Sequence, residues 1–293
     1  MNPRYPVYVP TKGRWDTRLT IRALDEISVP YKAVIEPQEV ENYIRAGVKE
    51  QDILVLPHRD KGLVVTRNWI WNHALASGTA RFWTIDDNIG GFYRLNHNLR
   101  VPIKTGTLFR VAEDFVDRFE NVPIAGFQYC FFANHRKKWA PFYLNRRVYS
   151  NMLIETKACD RRGKPFRNEG FYNDDTDLCL RVLKNGYCTI LFYAFLIKKM
   201  ATMTIRGGMT PHYQGGGRLE MAEELAAKHP DVATITRKWG RWQHQVDYRR
   251  FRNNRPILKP DVRIANGTNE YGMVLERLRM PRGEKESALW IPS

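Results

Sequence analysis

Two adjacent carboxylates and an amide end a short apolar run, Phe82-Trp83-Thr84-Ile85-Asp86-Asp87-Asn88. Such a run fits a buried strand, and groups at the carboxyl end of a buried strand project into the crevice where open α/β sheets bind ligands. Asp86 and Asp87 therefore suggest a site for a hard divalent cation, with phosphate oxygens completing its coordination shell. The simpler interpretation is a polar turn after a buried strand.

A second acidic cluster, Asn173-Asp174-Asp175-Thr176-Asp177, precedes the apolar run Leu178 to Leu183. Acids after an asparagine fit the first turn of a helix, where they complement the helix dipole without any catalytic role. One of the carboxylates could instead face a cleft and act as a general base. Asp177 is expected to pair with Arg181 one helical turn later.

Alternating strand and helix patterns precede the first acidic pair. This βαβαβαβ series predicts an α/β fold with a mainly parallel central sheet and helices on both faces. Strands are predicted at 6–10, 31–35, 52–56 and 81–85, and helices at 16–27, 37–46 and 62–76.

The loop after the first strand, Pro10-Thr11-Lys12-Gly13-Arg14, lacks the GxGxxG fingerprint of a dinucleotide-binding fold, and no GxxxxGK[ST] motif is present. A Rossmann oxidoreductase is therefore disfavoured. Arg14 and Arg67 stand near helix amino-termini, where the helix dipole disfavours a cation. A bound anion, such as a nucleotide phosphate, explains that placement better than ordinary surface charge.

Composition and charge limit the classes of function. The 293-residue chain is 43% hydrophobic, which is ample for one large core. No segment has the pattern of a signal peptide or the length of a membrane span, and the four cysteines form no CxxC pair, so we expect a cytoplasmic protein without a membrane partner. A net charge of +16 is typical of proteins that contact polyanions, although it also keeps proteins soluble.

Cations alternate with aromatics in two regions, His135-Arg136-Lys137-Lys138-Trp139, followed by Arg146 and Arg147, and the segment from Arg237 to Arg255. Such a mixture suits phosphate contacts combined with base stacking. The alternative is an amphipathic helix that buries its aromatic face, and a helical, basic region is expected over 237–255. The acceptor or DNA candidates are Arg136, Lys137, Lys138, Trp139, Arg237, Lys238, Trp239, Arg241 and Trp242.

Three ordered segments together resemble the nucleotide-sugar half of a GT-A glycosyltransferase, which has a Rossmann-like α/β fold. They are Val9 to Arg14, Gly62 to Asn68 and Ile85 to Asn88. The later segment Glu169 to Tyr187 is similar to the "ED, LxxR, GY" stretch that carries the catalytic base in inverting members. The resemblance covers roughly residues 6 to 215.

The resemblance implies a role for each matching residue. It implies a Mn²⁺ or Mg²⁺ ion on Asp87 and Asp86, with Asp87 as the direct ligand, and a catalytic base at Asp175, with Asp174 as the alternative. Some GT-A enzymes supply a late histidine to the metal, and His212 is the candidate, although a loop histidine is often structural. The implied donor-binding residues are Pro10, Thr11, Lys12, Gly13, Arg14, Arg67, Asn68 and Asp86.

More narrowly, the motifs VPTKGR, IDDN, NDDTD and Gly207 to Tyr213 in a basic chain resemble the TET-associated glycosyltransferases of bacteriophages. That resemblance implies transfer of a sugar from a UDP-sugar to the hydroxyl of a 5-hydroxymethylpyrimidine, with 5-hydroxymethylcytosine expected, in phage DNA in the host cytoplasm. It implies a GT-A catalytic domain over 1–218, with a donor-binding half at about 1–90 and an acceptor half at about 91–218. A helical, basic C-terminal extension is expected over 219–293.

Other functions remain open at this point. The acceptor hydroxyl could belong to a protein or a small molecule. Two acidic clusters with basic surfaces could also make a metal-dependent nuclease, and basic surfaces alone could make a DNA-binding protein. The loop at 10–14 and the pair Arg67-Asn68 argue against a nuclease, which has no need of a nucleotide site before the acids. The sequence does not indicate an oligomeric state.

Overall fold

The computed structural model describes residues 1–170, 172–200, 217–238 and 240–262, together with the backbone of 267–268 and 274–275. Its α-helices are α1 (Leu19–Glu26), α2 (Val40–Arg45), α3 (Leu63–Ala76), α4 (Thr107–Val116), α5 (Asp174–Lys184) and α6 (Arg218–Lys228). Its strands are β1 (Val7–Pro10), β2 (Lys32–Ile35), β3 (Ile53–Val55), β4 (Arg81–Ile85), β5 (Ile89–Asn96), β6 (Leu99–Pro102), β7 (Ile124–Tyr129), β8 (Phe142–Leu144), β9 (Asn151–Glu155), β10 (Thr189–Lys199), β11 (Ala233–Lys238), β12 (Arg241–Val246), β13 (Gly267–Thr268) and β14 (Val274–Leu275). Short 3₁₀-helices occupy Pro37–Glu39, Glu50–Asp52, Cys130–Phe132 and Tyr248–Phe251.

A ten-stranded mixed sheet forms the centre of the molecule, in the order β3-β2-β1-β4-β9-β7-β10-β5-β6, with β8 also paired to β10. Strands β1 to β4 pair in parallel, as the sequence predicts. Strand β9 runs antiparallel to both β4 and β7, and β10 runs parallel to β7. The carboxyl ends of β1, β4, β7 and β10 therefore meet at one edge of the sheet, which brings distant parts of the chain to one place.

Strand β4 is buried on both faces, which explains why its sequence is almost continuously apolar. On one face Trp83 packs edge-on against Phe109 of α4, with ring centroids 5.0 Å apart, in a core that also includes α1. On the other face Phe82 packs against Trp71 of α3 at 5.7 Å, in a core shared with α5. The two cores fix the position at which β4 delivers its terminal acids.

The predicted elements before Asp86 are present, with two shifted boundaries. Helix α1 begins at Leu19 rather than near Asp16, because Arg18 adopts a left-handed conformation (φ 42°) that cannot continue a helix. The predicted helix 37–46 consists of a 3₁₀ turn, which Pro37 begins, followed by α2. The α/β class is confirmed, and none of the described helices is long and apolar enough to cross a membrane.

The helical region predicted over 237–255 is wrong. Ala233–Lys238 and Arg241–Val246 pair as the antiparallel hairpin β11–β12, and a single 3₁₀ turn follows at Tyr248–Phe251. β-branched residues at 234, 235 and 236 favour a strand, and Gly240 takes the positive φ (72°) that a tight hairpin turn requires. Interleaved cations and aromatics therefore lie along two strands here instead of around a helix.

The hairpin and α6 pack against the outer side of α5. Leu180 and Leu183 of α5 share an apolar cluster with Leu225 of α6 and with Phe251. His229, just after α6, bonds through Nε2 to the buried carboxylate of Asp177 at 3.0 Å. The C-terminal part of the described chain thus supports the helix that begins with the second acidic cluster.

Candidate active site

Asp86 lies at the centre of a network of cations at the carboxyl end of β4. Its Oδ1 accepts a hydrogen bond from Arg67 at 2.7 Å, and its Oδ2 accepts one from Lys199 at 2.8 Å. Its backbone is also fixed, because its N–H donates to the carbonyl of Ser150 at 2.7 Å and its carbonyl accepts from Thr20 Oγ1 at 2.5 Å. Burial alone would raise the pKa of Asp86, but Lys199 and Arg67 outweigh burial and hold the pKa well below its usual range.

Asp87 has a different environment, although it is the next residue. Its Oδ2 accepts from Thr11 Oγ1 at 3.0 Å, and its Oδ1 is paired with Arg14. Burial raises the pKa of Asp87 in spite of Arg14, so positive charge near this carboxylate compensates burial less completely than at Asp86. The two neighbouring acids are therefore not equivalent, and Asp87 is the one that gains more from an additional cation.

Arg67 joins the two acidic clusters that the sequence separates. Its Nη2 donates to Asp86, and its Nη1 lies 2.7 Å from both carboxylate oxygens of Asp174. Only 6% of the Arg67 side chain and 10% of the Asp174 side chain are exposed, so this is a buried ion pair. Because buried charges need partners, each member depends on the others for its ionised state.

The residues present fit a divalent cation at the Asp86-Asp87 pair. The two carboxylates supply hard oxygen ligands, and the amide oxygen of the adjacent Asn88 is buried without a hydrogen-bond partner in the described part of the chain. No group of three or more histidine, cysteine or acidic side chains forms a metal cluster among the described residues. An ion held here would therefore take further ligands from elsewhere, as it does when phosphate oxygens complete the shell. His212 lies outside the described residues.

The loop after β1 lies beside Asp87. Thr11 bonds to the hydroxyl of Tyr43 at 2.6 Å as well as to Asp87, and the backbone N–H of Gly13 donates to Glu39 at 2.8 Å. Gly13 has a positive φ of 66°, which favours glycine at this turn. The loop is thereby held at the same sheet edge as the acids, with Pro10 ending β1.

Two of the predicted donor-binding residues have structural partners in this arrangement. Lys12 pairs with Glu36 at 2.9 Å and with Asp60. The side chain of Asn68 donates to the carbonyl of Asn168 at 2.9 Å and accepts from the N–H of Asn168 at 2.9 Å. Asn68 therefore holds the segment before α5 against α3. Its contact with a donor stays a prediction.

Asp175 and Asp174, both at the start of α5, face different surroundings. Asp174 is committed to Arg67, whereas Asp175 Oδ1 accepts from the N–H of Thr176 at 2.6 Å and Oδ2 has no partner among the described residues. Asn173 makes no side-chain cap and instead donates to the carbonyl of Met221 at 2.8 Å. The predicted pairing of Asp177 with Arg181 is confirmed at 2.8 Å.

Arg147 and His244 lie close to Asp175. Arg147 stacks on the ring of Tyr149, with its guanidinium carbon 4.1 Å from the centroid, and its Nη1 lies 3.2 Å from His244 Nε2 and 3.5 Å from Thr176 Oγ1. Burial and, to a lesser extent, the neighbouring Arg147 together lower the pKa of His244 to about 4. Neutral His244 therefore accepts the hydrogen bond from Arg147, and β12 contributes directly to the surroundings of the acidic cluster.

The predicted DNA contacts lie on two separate surfaces. Arg136, Lys137 and Lys138 are exposed in the loop before Trp139, whose indole N–H donates to the carbonyl of Asn134 at 2.8 Å. On the hairpin, Lys238, Arg241 and Trp242 are exposed, and the guanidinium carbon of Arg237 lies 5.8 Å from the centroid of the Trp242 ring. Trp239 lies outside the described residues.

The hairpin register orients these residues relative to the acids. Arg237 pairs with Trp242, and Ile235 pairs with His244. Alternate pairs in an antiparallel hairpin share a face, so Arg237 and Trp242 lie on the face that carries His244 toward Arg147. A cationic and aromatic strip therefore leads from the hairpin tip to the second acidic cluster.

Sequence reasoning missed several residues of this site. Lys199 ends β10, bonds to Asp86 and Ser150, and has its Nζ 5.6 Å from the centroid of the Tyr129 ring. Lys199 is a cation at the end of a long apolar run, and the sequence shows this feature. The neighbouring residues do not show, however, that β10 ends beside β4. The same holds for Tyr43, Ser150 and His244, whose neutral or weakly charged side chains resemble ordinary polar residues.

Comparisons with known proteins agree with this geometry. The profile of the family described as TET-Associated Glycosyltransferase matches residues 5–208. Among solved structures, the chain is similar to the mannosyltransferase PcManGT from Pyrobaculum calidifontis in complex with GDP-Man and Mn²⁺, with a TM-score of 0.52 and 15% identity over 79% of this chain. The chain spans 65% of the length of that protein, and at this identity the likeness shows the fold alone. No curated protein matches the chain.

Because Arg67 is buried, its substitution tests the ion pairs that it makes with Asp86 and Asp174. Arg67→Met should lower the free energy of unfolding by about 3–5 kcal/mol, because it leaves Asp174 buried without a cation and Asp86 with only one. Adding Asp174→Asn should recover part of that loss, since it removes the uncompensated charge. Urea unfolding at neutral pH measures both changes.

Arg45→Met is the control, because Arg45 pairs with Glu41 on the exposed face of α2 and its substitution should change stability by about 0.5 kcal/mol or less. Equal losses from Arg67→Met and Arg45→Met would contradict the buried network.

Proposed function

Because the chain belongs to the TET-associated glycosyltransferase family, we propose that it transfers a sugar from a UDP-sugar to the hydroxyl of a 5-hydroxymethylpyrimidine in DNA, with 5-hydroxymethylcytosine as the acceptor base. One observation carries this proposal. Asp86, Asp87, Arg14 and Arg67 come together at the carboxyl edge of the sheet, beside the loop that follows β1. Acids and fixed cations in that crevice suit a nucleotide diphosphate with a divalent ion.

In the proposed reaction the bond between the anomeric carbon and the diphosphate breaks, and a bond from that carbon to the acceptor oxygen forms. The hydroxyl proton passes to a base, and UDP leaves. A divalent ion held by Asp87 and Asp86, with His212 as a further candidate, would supply Lewis-acid stabilisation of the charge that develops on the phosphate. Arg14 and Arg67 add positive charge that is already in place before the reaction, which is where preorganised charge stabilises a departing anion most.

Asp175 is the proposed base, with inversion at the anomeric carbon. Its Oδ2 is available among the described residues, whereas both oxygens of Asp174 lie against Arg67. Arg147 is linked to the Asp175 carboxylate through Thr176, whose Oγ1 lies 3.5 Å from Arg147 Nη1 and donates to Asp175 Oδ1 at 3.1 Å. Asp174 has the positioning role of holding Arg67 in place.

DNA is the proposed acceptor on grounds of charge and placement. The net charge is +16, and exposed cations lie in the 136–138 loop and on the β11–β12 hairpin, where Arg237 shares a face with His244. Phosphate contacts fix the register of a nucleic acid, and the interleaved Trp139 and Trp242 offer stacking surfaces. Transfer to a base also requires the hydroxymethyl group to reach the acids, so we expect the nucleotide to leave the DNA stack.

Joint binding of donor and metal tests the donor side. The melting temperature of the wild-type protein should rise when UDP-sugar and Mn²⁺ are added together, by more than the sum of the two separate rises, because each completes the other's site. Ligand at about one hundred times Kd corresponds to about 2.7 kcal/mol. Asp87→Asn should lose the joint rise, and the exposed Asp261→Asn should keep it. A joint rise of the same size in Asp87→Asn would exclude the proposed metal site.

Removal of the base tests the chemical step. Asp175→Asn should lower kcat for sugar transfer to hydroxymethylated DNA by about 10²- to 10⁴-fold, because the acceptor proton loses its positioned base. The joint donor and metal rise in melting temperature should remain, since Asp175 is not a proposed donor ligand. Nucleoside mass spectrometry of the treated DNA measures the transfer, with Asp261→Asn again as the control. A kcat close to that of the wild type would move the base to another residue.

A further inference from the structure

A cavity of about 300 Å³ is connected to the second acidic cluster through a series of side-chain contacts. We infer that this cavity holds the acceptor pyrimidine, an inference that rests on the proposed function. It is lined by Gln128, Trp139, Tyr143, Arg146, Leu191 and Tyr193.

The walls of the cavity are largely aromatic. Trp139 and Tyr193 stack with ring centroids 4.8 Å apart, and Tyr143 packs edge-on to Tyr193 at the same distance. Flat aromatic surfaces bind nucleobases by stacking, which every base can provide. The volume is at the small end of the range for ligand pockets, so it suits a single-ring base.

The polar groups of the cavity are mainly hydrogen-bond donors. Gln128 is 5% exposed, its carbonyl oxygen accepts from Tyr149 at 3.2 Å and from the N–H of Tyr129 at 2.8 Å, and its amide donates to Tyr193 at 3.0 Å. Among the described residues, the second amide N–H of Gln128 and the hydroxyl hydrogen of Tyr193 have no acceptor, so both can donate to a ligand. Arg146 adds a guanidinium, which only donates. A pyrimidine presents carbonyl and ring-nitrogen acceptors that match such a lining.

Contacts connect the cavity to the proposed base. Tyr149 bonds to Gln128 on one side and lies under the Arg147 guanidinium on the other. Arg147 in turn lies 3.5 Å from Thr176 Oγ1, which donates to Asp175 at 3.1 Å. The cavity is thus linked to Asp175 through Tyr149, Arg147 and Thr176, and residues 10–14 do not line it.

Binding measurements test the cavity without requiring turnover. The probe is a short single-stranded oligonucleotide with one 5-hydroxymethylcytosine, and calorimetry gives its Kd. Trp139→Ala should raise the Kd about tenfold or more through lost stacking, and Tyr193→Phe should raise it several-fold through one lost hydrogen bond. Tyr187→Phe is the matched control, because it removes the same hydroxyl at a ring that packs against Phe166 outside the cavity. The control should leave the Kd unchanged.

Two results would overturn the cavity assignment. One is a wild-type Kd in both Trp139→Ala and Tyr193→Phe. The other is equal wild-type affinity for the same oligonucleotide with an abasic site in place of the modified base. Neither result touches the joint effect of UDP-sugar and Mn²⁺ on the melting temperature, so failure of the cavity and failure of the transferase assignment are distinguishable.

A second observation, independent of the cavity, concerns Phe131. It is the most exposed large apolar side chain in the described part of the chain, at 82%. Its neighbours Cys130 and Ala133 are buried, and the carbonyl of Ala133 accepts a hydrogen bond from Arg100 at 3.1 Å. A firmly held turn therefore presents one aromatic ring to solvent, where its exposure is unfavourable unless a partner covers it.

A series of aromatic contacts extends from Phe131 toward Asp86. Phe131 packs edge-on to Phe132 at 5.3 Å, and Phe132 stacks parallel to Tyr129 at 6.0 Å. The Tyr129 hydroxyl bonds to Ser150 at 2.6 Å, and Ser150 also contacts Lys199, the partner of Asp86. The exposed Phe131 ring is thus connected, through Phe132, Tyr129 and Ser150, to the residues around Asp86.

We propose that Phe131 inserts into the DNA base stack in place of the acceptor nucleotide. Apolar side chains serve as such wedges in DNA-bending proteins, and base-extruding enzymes must replace lost stacking. Exposed Arg136, Lys137 and Lys138 follow within the same loop, so a polyanion is the partner whose charge matches this surface.

The fluorescence of a labelled duplex tests whether Phe131 inserts into the base stack. In a duplex with 2-aminopurine beside 5-hydroxymethylcytosine, wild-type protein should increase the fluorescence, and Phe131→Ala should lose most of the increase. The rate of sugar transfer by Phe131→Ala should fall about tenfold or more on duplex DNA, which corresponds to the stacking of one base. On single-stranded DNA the rate should stay near that of the wild type, because no base has to be extruded. Val55→Ala, a truncation of an exposed side chain on the opposite edge strand β3, should match the wild type. Equal losses on duplex and single strands, or an unchanged fluorescence increase, would overturn the wedge.

Discussion

The ion pairs of Arg67 with Asp86 and Asp174 are the interaction on which the rest of the site depends. One guanidinium on α3 links the end of β4 to the start of α5, and so it connects two acidic clusters that are far apart in sequence. Because the link is buried, removal of the cation would leave Asp174 without a charged partner and Asp86 with Lys199 alone, in a poorly solvated place. The position of the acids and α5 relative to one another therefore follows from charge compensation as well as from packing.

The balance of charge also explains how neighbouring acids acquire different roles. Asp86 has Arg67 and Lys199 as partners and is held firmly ionised, whereas burial prevails at Asp87 despite Arg14. An additional cation is therefore favoured at Asp87, and the diphosphate of a nucleotide sugar would bring both further negative charge and oxygen ligands. The surroundings of Asp175 are organised differently, through Arg147 and neutral His244. We propose that these two halves hold a charged donor and a flat acceptor at the same time.

The sequence predicts the strands and helices before Asp86 well because their signals are local. Strand β4 and Asp86 are adjacent in the chain, and so are β1 and the loop at 10–14, so apolar runs and polar ends identify them together. Lys199 and Arg147 could not be placed, because their contacts with Asp86 and His244 depend on the order of β4, β9, β7 and β10 in the sheet. The region after Arg237 was predicted as helical because alternating cations and aromatics also fit an amphipathic helix, whereas the left-handed Gly240 and the β-branched residues before it determine a hairpin. His212 and Trp239 lie outside the described residues and stay predictions.

Diffraction from crystals grown with UDP and Mn²⁺ tests directly whether Asp87 holds a metal, because the anomalous signal of manganese distinguishes the ion from water and lighter ions. We expect one strong anomalous peak in contact with Asp87, with the diphosphate of UDP bound to the same ion and lying beside Arg14. A diphosphate bound elsewhere, with Asp87 still paired only to Arg14 and Thr11, would contradict this expectation.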